Sequence, residues 1–237
     1  MSELPPPRLA LTLSEWPRAL ATVVRLARRW RSLGHGLAGD GRPVMVLPGL
    51  FNSDRSNVPL RGFLNRIGYA AHGWGLGRNL GTRTIGADAE RLIARVEALA
   101  RDTGQPVTLV GVSLGGILAR LVAHRRPDLV REVITVASPY AGHPRSTRVW
   151  RAFELFTGER VDAAHVTALR AEIVRPLPVP ATAIWSASDG LVSGEACRGG
   201  DCVAVEVTSG HLGVQLQPEV LLAVARVLAG SQPNRSC

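Results

Sequence analysis

The sequence predicts an α/β fold, a mostly parallel central sheet with helices on both faces. Three observations carry this: six apolar runs of strand length, helical patterns between several of them, and a Gly-x-Ser-x-Gly sequence set between one run and one helical pattern. The chain has 237 residues, 46% hydrophobic and 20% charged, enough for one well-buried core. Its 28 basic residues are all Arg and face 19 acidic ones, a net charge of +9. That balance favours anionic partners such as nucleic acid, anionic lipid headgroups or acidic substrates, and says nothing of fold. With no recognisable nucleic-acid motif, nucleic acid is not expected as a partner.

Residues 1–41 read as a leader. After Pro5-Pro6-Pro7, the residues Trp16, Leu20, Val23, Val24, Ala27 and Trp30 share one helical face, while Arg18, Arg25, Arg28 and Arg29 lie mostly elsewhere. The preferred reading packs this apolar stripe on the domain; the other lays a basic amphipathic helix on an anionic membrane surface. The Gly34–Gly41 region reads as a linker. No apolar run approaches the roughly 18 residues of a membrane span, and the N-terminus lacks the pattern of a secretion signal. A soluble cytoplasmic protein is expected, peripheral membrane contact being the alternative.

From residue 42 onward strands and helices alternate. Strand candidates are residues 44–48, 70–74, 106–112, 132–137, 182–186 and 203–207. Helical spacing appears over residues 87–100, through Leu92, Ile93, Val96 and Leu99, over residues 116–124, and finally over residues 218–228. In such a sheet, ligands bind beyond the carboxyl ends of the strands. One long segment, about residues 140–181, interrupts the alternation with two helical stretches and reads as a small helical cap. Within it Trp150, Phe153, Leu155 and Phe156 either line an apolar entrance or dock the insertion on the core.

The sequence Gly111-Val112-Ser113-Leu114-Gly115-Gly116 has the placement a nucleophilic serine requires, an apolar run of strand length before it and a helical pattern after it. The serine must sit on a sharp turn to project beyond the sheet, and small residues at Gly111 and Gly115 let the backbones approach. A serine hydroxyl is a weak nucleophile, so a base and an orienting carboxylate are required. Of six histidines, His35 and His72 precede the serine, His124 lies in the helix after it, and His143 and His165 fall in the cap. His211 follows the last strand candidate and fits the order Ser, Asp, His. Asp189 follows the preceding strand; Asp201 competes but lies before a strand, inside a short Cys-bounded loop.

The motifs Gly-Val-Ser-Leu-Gly-Gly, Ser-Ala-Ser-Asp-Gly-Leu-Val and Ser-Gly-His-Leu-Gly give the chain a resemblance to the α/β-hydrolase family, and within it to bacterial lipases and esterases, over roughly residues 42–230. The resemblance implies an ester-cleaving serine hydrolase acting through Ser113, His211 and Asp189 and an acyl-enzyme, with lipid-like or medium-chain esters as substrates. An acyltransferase, a thioesterase or a non-catalytic ligand-binding relative is the alternative on the same fold. Many relatives begin the oxyanion loop with His-Gly; here Pro48-Gly49 stands there, so the expected backbone donors are Leu114 with Leu50, or else Phe51. No metal or organic cofactor is required. On the membrane reading, removing residues 1–35 is expected to abolish vesicle binding and spare turnover of soluble esters.

Two further features have plain readings. The loop from Trp74 to Asn79 borders the expected pocket but lacks dinucleotide-binding spacing, so its glycines permit a tight loop, and Arg78 is expected to be exposed. Cys197, Cys202 and Cys237 make no disulfide scaffold or zinc site, although Cys197 and Cys202 are close enough to bridge in an oxidising compartment.

Overall fold

A computed structural model describes residues 6–199 and 202–230. In chain order these form α1 (Leu9–Arg29), β1 (Pro43–Leu47), α2 (Val58–Arg66), β2 (Ala70–Gly73), a single turn α3 (Thr82–Ile85), α4 (Glu90–Thr103), β3 (Val107–Val112) and α5 (Leu114–Arg125). There follow β4 (Val130–Val136), α6 (Trp150–Thr157), α7 (Ala164–Ile173), β5 (Ala181–Trp185), β6 (Val203–Glu206) and α8 (Pro218–Leu228). All six strands pair in parallel, in the order β2-β1-β3-β4-β5-β6. Every strand matches an apolar run of the sequence.

Both faces of the sheet are covered, which is why its central strands are apolar without alternation. On one face Val44, Val46, Val110 and Val112 pack with Leu60, Phe63 and Leu64 of α2 and Val220, Leu221 and Val224 of α8. Their neighbours Met45, Leu47, Val107 and Leu109 point the other way, against Leu92 and Val96 of α4 and Leu118, Leu121 and Val122 of α5. Each such side chain fully buried stabilises the fold by about 1.5–3 kcal/mol before entropy is counted.

The strand order reverses direction between β1 and β3, and a crevice therefore opens at the carboxyl ends of these two strands. The helices α6 and α7, between β4 and β5, stand over it. Among the described residues no helix is long and apolar enough to cross a membrane.

The leader departs from the preferred expectation. Most of its apolar stripe does not pack on the domain: Leu13 and Trp16 are 78% and 77% exposed, and Leu9, Leu20, Val23 and Val24 are exposed with them, while Trp30, just past the helix end, packs on the core. The opposite face docks, through Glu15, Thr22 and Leu26, and it docks largely by polar contacts. The Thr12 hydroxyl donates to the Gly190 carbonyl at 2.7 Å, and the Arg18 guanidinium donates to the Ser188 carbonyl at 2.6 Å. The polar groups buried on this face thus find hydrogen-bonding partners, as buried polar groups must.

Candidate active site

The turn from β3 into α5 sets Ser113 at φ 51° and ψ −119°, a left-handed backbone that a non-glycine residue adopts only when its surroundings impose it. The surroundings are glycines. A Cβ on Gly111 would lie 2.3 Å from the Cα of Gly116, and one on Gly115 would lie 2.4 Å from the Leu47 carbonyl oxygen. Strand, helix and the loop after β1 thus meet backbone to backbone around the serine. The Ser113 N–H is anchored on the Val136 carbonyl at 2.8 Å.

Two further loops at the same sheet edge bring the remaining groups. His211, after β6, places Nε2 3.1 Å from the Ser113 Oγ and Nδ1 2.7 Å from Asp189 Oδ2. Asp189, after β5, is buried, and its Oδ1 accepts from the N–H groups of Leu191 at 2.9 Å and Val192 at 2.8 Å. The three residues singled out in the sequence therefore form one hydrogen-bonded chain. Asp201 lies outside the described residues, as does Cys237. Cys197 and Cys202 are separate thiols, Cys197 buried and Cys202 2.8 Å from the Tyr140 hydroxyl. Burial, with the nearby charge of Asp189, pushes the Cys197 thiol well up, so it stays protonated.

The electrostatics of His211 combine opposing effects. Burial disfavours its charged form, but the charge and hydrogen bond of Asp189, with the charge of Glu15 added, outweigh that and raise its pKa above the ordinary 6.5. An imidazole so placed can take a proton from Ser113 and hold the resulting charge against Asp189.

A pocket opens beside the Ser113 hydroxyl, walled by Leu50, Ile117, Val149, Phe153, Leu169 and Ile173, with Glu159 and Arg170 among its few charged groups. Leu50 and Leu114 both border it next to Ser113. The alternative donor Phe51 is engaged elsewhere, its N–H given to the Asn79 carbonyl at 2.9 Å. Of the four aromatic and apolar residues noted in residues 140–181, Trp150 and Phe153 line the pocket. Phe156 instead packs edge-to-face on Phe51 with ring centroids 3.8 Å apart, and Leu155 is exposed.

The loop after β2 does not wall the pocket, and Arg78 is exposed. It acts from behind through Asn79, which is fully buried. The Asn79 side-chain amide donates to the Pro48 carbonyl at 2.7 Å, and its main chain receives from Phe51 and donates to the Asn52 carbonyl at 2.9 Å. This role of Asn79 is not legible in the sequence, because the burial of a loop asparagine leaves no pattern there; once buried, its polar groups must be hydrogen-bonded.

Comparison with known proteins agrees with this architecture. The family described as alpha/beta hydrolase fold matches residues 30–193, well over half of the chain. The chain belongs to the α/β-hydrolase fold family. Within this family it is similar to a triacylglycerol lipase of Burkholderia plantarii, 28% identical over 88% of the chain, and it spans 63% of that lipase's length. The mature lipase BlEst2 of Bacillus licheniformis superposes with a TM-score of 0.61 at 16% identity, covering 81% of this chain and 94% of that one. A monoacylglycerol lipase of Paleococcus ferrophilus gives 0.57 at 16% identity, covering 82% and 98%. A thioesterase domain from the curacin biosynthetic pathway gives 0.54 at 16% identity over 81% and 93%. At these identities the structural likeness speaks to the hydrolase fold.

Proposed function

We propose that this α/β-hydrolase cleaves carboxylic esters with apolar acyl groups through a covalent acyl-enzyme. The observation that carries the reading is the Ser113–His211–Asp189 hydrogen-bonded chain opening on an apolar pocket. His211 takes the Ser113 proton as Oγ bonds to the ester carbonyl carbon, and the carbonyl electron pair moves onto oxygen, held by the Leu50 and Leu114 N–H groups. The carbonyl re-forms, the C–O bond to the alcohol breaks, and His211 returns the proton to the departing alkoxide. Water, deprotonated by the same imidazole, then releases the acid and restores Ser113. The helices α6 and α7 act as a cap that supplies the acyl wall. Hydrolysis of a p-nitrophenyl series from acetyl to palmitoyl tests this: turnover by the wild type that Ser113→Ala abolishes supports it, and wild-type inactivity on every member overturns it.

The exposed stripe of α1 fits an anionic lipid surface as the place where such substrates are met. Its exposed charged residues, Arg25, Arg28 and Arg29, are all basic, and its single acid, Glu15, is turned inward. An apolar face edged by Arg alone suits lipid tails and anionic headgroups together. The intact chain is expected to co-sediment with phosphatidylglycerol vesicles and Trp16→Glu to lose most of that binding; no binding by the intact chain, or equal binding by the variant, overturns it.

A further inference from the structure

The inward face of α1 meets the two loops that carry Asp189 and His211. Glu15 is 1% exposed, and its two carboxylate oxygens are shared between these loops. Oε1 accepts from the Gly190 N–H at 2.7 Å, and Oε2 accepts from the Leu212 N–H at 2.9 Å. Gly190 directly follows Asp189, and Leu212 directly follows His211. The carboxylate thus accepts from the backbone N–H of the residue next in sequence to each member of the acid–base pair. It is bracketed by Thr12, which donates to the Gly190 carbonyl, and by Arg18, which donates to Ser188.

Space at this contact is as specific as the hydrogen bonds. A Cβ on Gly190 would lie 2.4 Å from the Leu11 carbonyl oxygen, and one on Gly210 would lie 2.7 Å from Glu15 Oε2. The residues flanking Asp189 and His211 are therefore glycines where α1 presses on them. The two loops are also tied to each other, since the Ser186 hydroxyl donates to the Ser209 carbonyl at 2.9 Å and accepts from the Ser209 N–H at 3.1 Å.

We propose that Glu15 is a positioning residue for the esterase proposed above: its carboxylate clamps the Asp189 and His211 loops at the separation that holds His211 over Ser113. The leader is then part of the reacting apparatus, and the expectation that residues 1–35 can be removed with turnover of soluble esters intact is replaced by its opposite. The clamp has an electrostatic consequence. Facing His211 from the packed elements are Asp189 from the β5 loop, Glu15 from α1, whose charge Arg18 partly offsets at 3.9 Å, and the neutral Ser113. The negative charge of Glu15 adds to that of Asp189 in favouring the imidazolium.

Glu15→Gln tests the proposal, because it keeps the shape but sets an amide N–H₂ against one of the two backbone donors and removes the charge. Turnover is measured per active site titrated with a fluorophosphonate, so that loss of folded protein does not count. The His211 imidazole is followed separately by NMR titration of the full chain, assigned against His211→Asn. The expected result is a kcat lowered about tenfold to a hundredfold, as for one buried charge-assisted hydrogen bond, KM within about twofold, and a His211 titration moved to lower pH. A variant with wild-type kcat per active site and an unmoved His211 titration overturns the clamp. Inactivity of the wild type on all esters would fault the esterase reading alone, since the NMR titration still decides whether Glu15 acts on His211. Arg18→Met, which should spare both Glu15 hydrogen bonds, is expected to lower kcat less than Glu15→Gln; the reverse order counts against Glu15 as the clamp.

Discussion

Gly115→Ala is expected to cost activity far more than stability. The added Cβ would stand 2.4 Å from the Leu47 carbonyl oxygen and 2.7 Å from that of Pro48, so backbone rather than a yielding side chain must move, by about 1 Å to reach ordinary contact. Two energies oppose each other. Alanine is the better helix former by at most about 1 kcal/mol, while overpacking a close-packed site costs typically about 1–3 kcal/mol. The net is a loss on the order of 1 kcal/mol, a fall of roughly 2–4 °C in Tm for a chain of this size. Activity has no such compensation. The backbone pushed aside leads directly to Leu50, the oxyanion donor proposed above, and displacing such a donor by about 1 Å is expected to cost about 100-fold or more in kcat. Thermal denaturation and p-nitrophenyl butyrate turnover, measured on one preparation, check both magnitudes. A folded Gly115→Ala protein with kcat within about threefold of the wild type would refute the reasoning.

Other outcomes follow from the same site. His211 must be neutral to accept the Ser113 proton, and its pKa is raised, so the acid limb of kcat/KM is expected above pH 6.5, with activity gained as pH rises through it; a limb at or below 6.5 contradicts the balance of charges described. Asn79→Ala removes the donor to the Pro48 carbonyl and is expected to lower kcat at least about tenfold by loosening the Leu50 segment, checked against an unchanged near-UV spectrum. Arg120→Met should lower stability by about 2–4 kcal/mol in urea unfolding, because the buried guanidinium donates to the Ile173 and Arg175 carbonyls and lies 4.0 Å over the Tyr140 ring.

Much of this fold is legible in the sequence because parallel strands buried on both faces leave contiguous apolar runs, and each of the six runs is a strand of the sheet. Ser113, Asp189 and His211 are legible because each follows such a run at the edge where the chain reverses. Their neighbourhood is less so. The helix α2 is masked in the sequence by Pro59 and Gly62, although Leu60, Phe63 and Leu64 keep the helical spacing and Pro59 stands in the first turn, where its missing N–H costs nothing. The docking of α1 was hidden more deeply. Its apolar periodicity points away from the domain, and the contacts that hold it, from Thr12, Glu15 and Arg18, are polar pairs across about 170 to 200 residues of sequence that leave no periodic trace. Hydrophobic pattern locates a face that wants burial, and here that face, Trp30 apart, remains exposed.

The central claim is that Ser113, activated by His211, is the nucleophile. Labelling of the intact chain with a fluorophosphonate, followed by peptide mass spectrometry, tests it without any assumption about the natural substrate. The account predicts a single adduct on Ser113, absent from Ser113→Ala and slowed by about three orders of magnitude or more in His211→Ala. No adduct on the wild type, or an adduct on another residue that persists in Ser113→Ala, would contradict it.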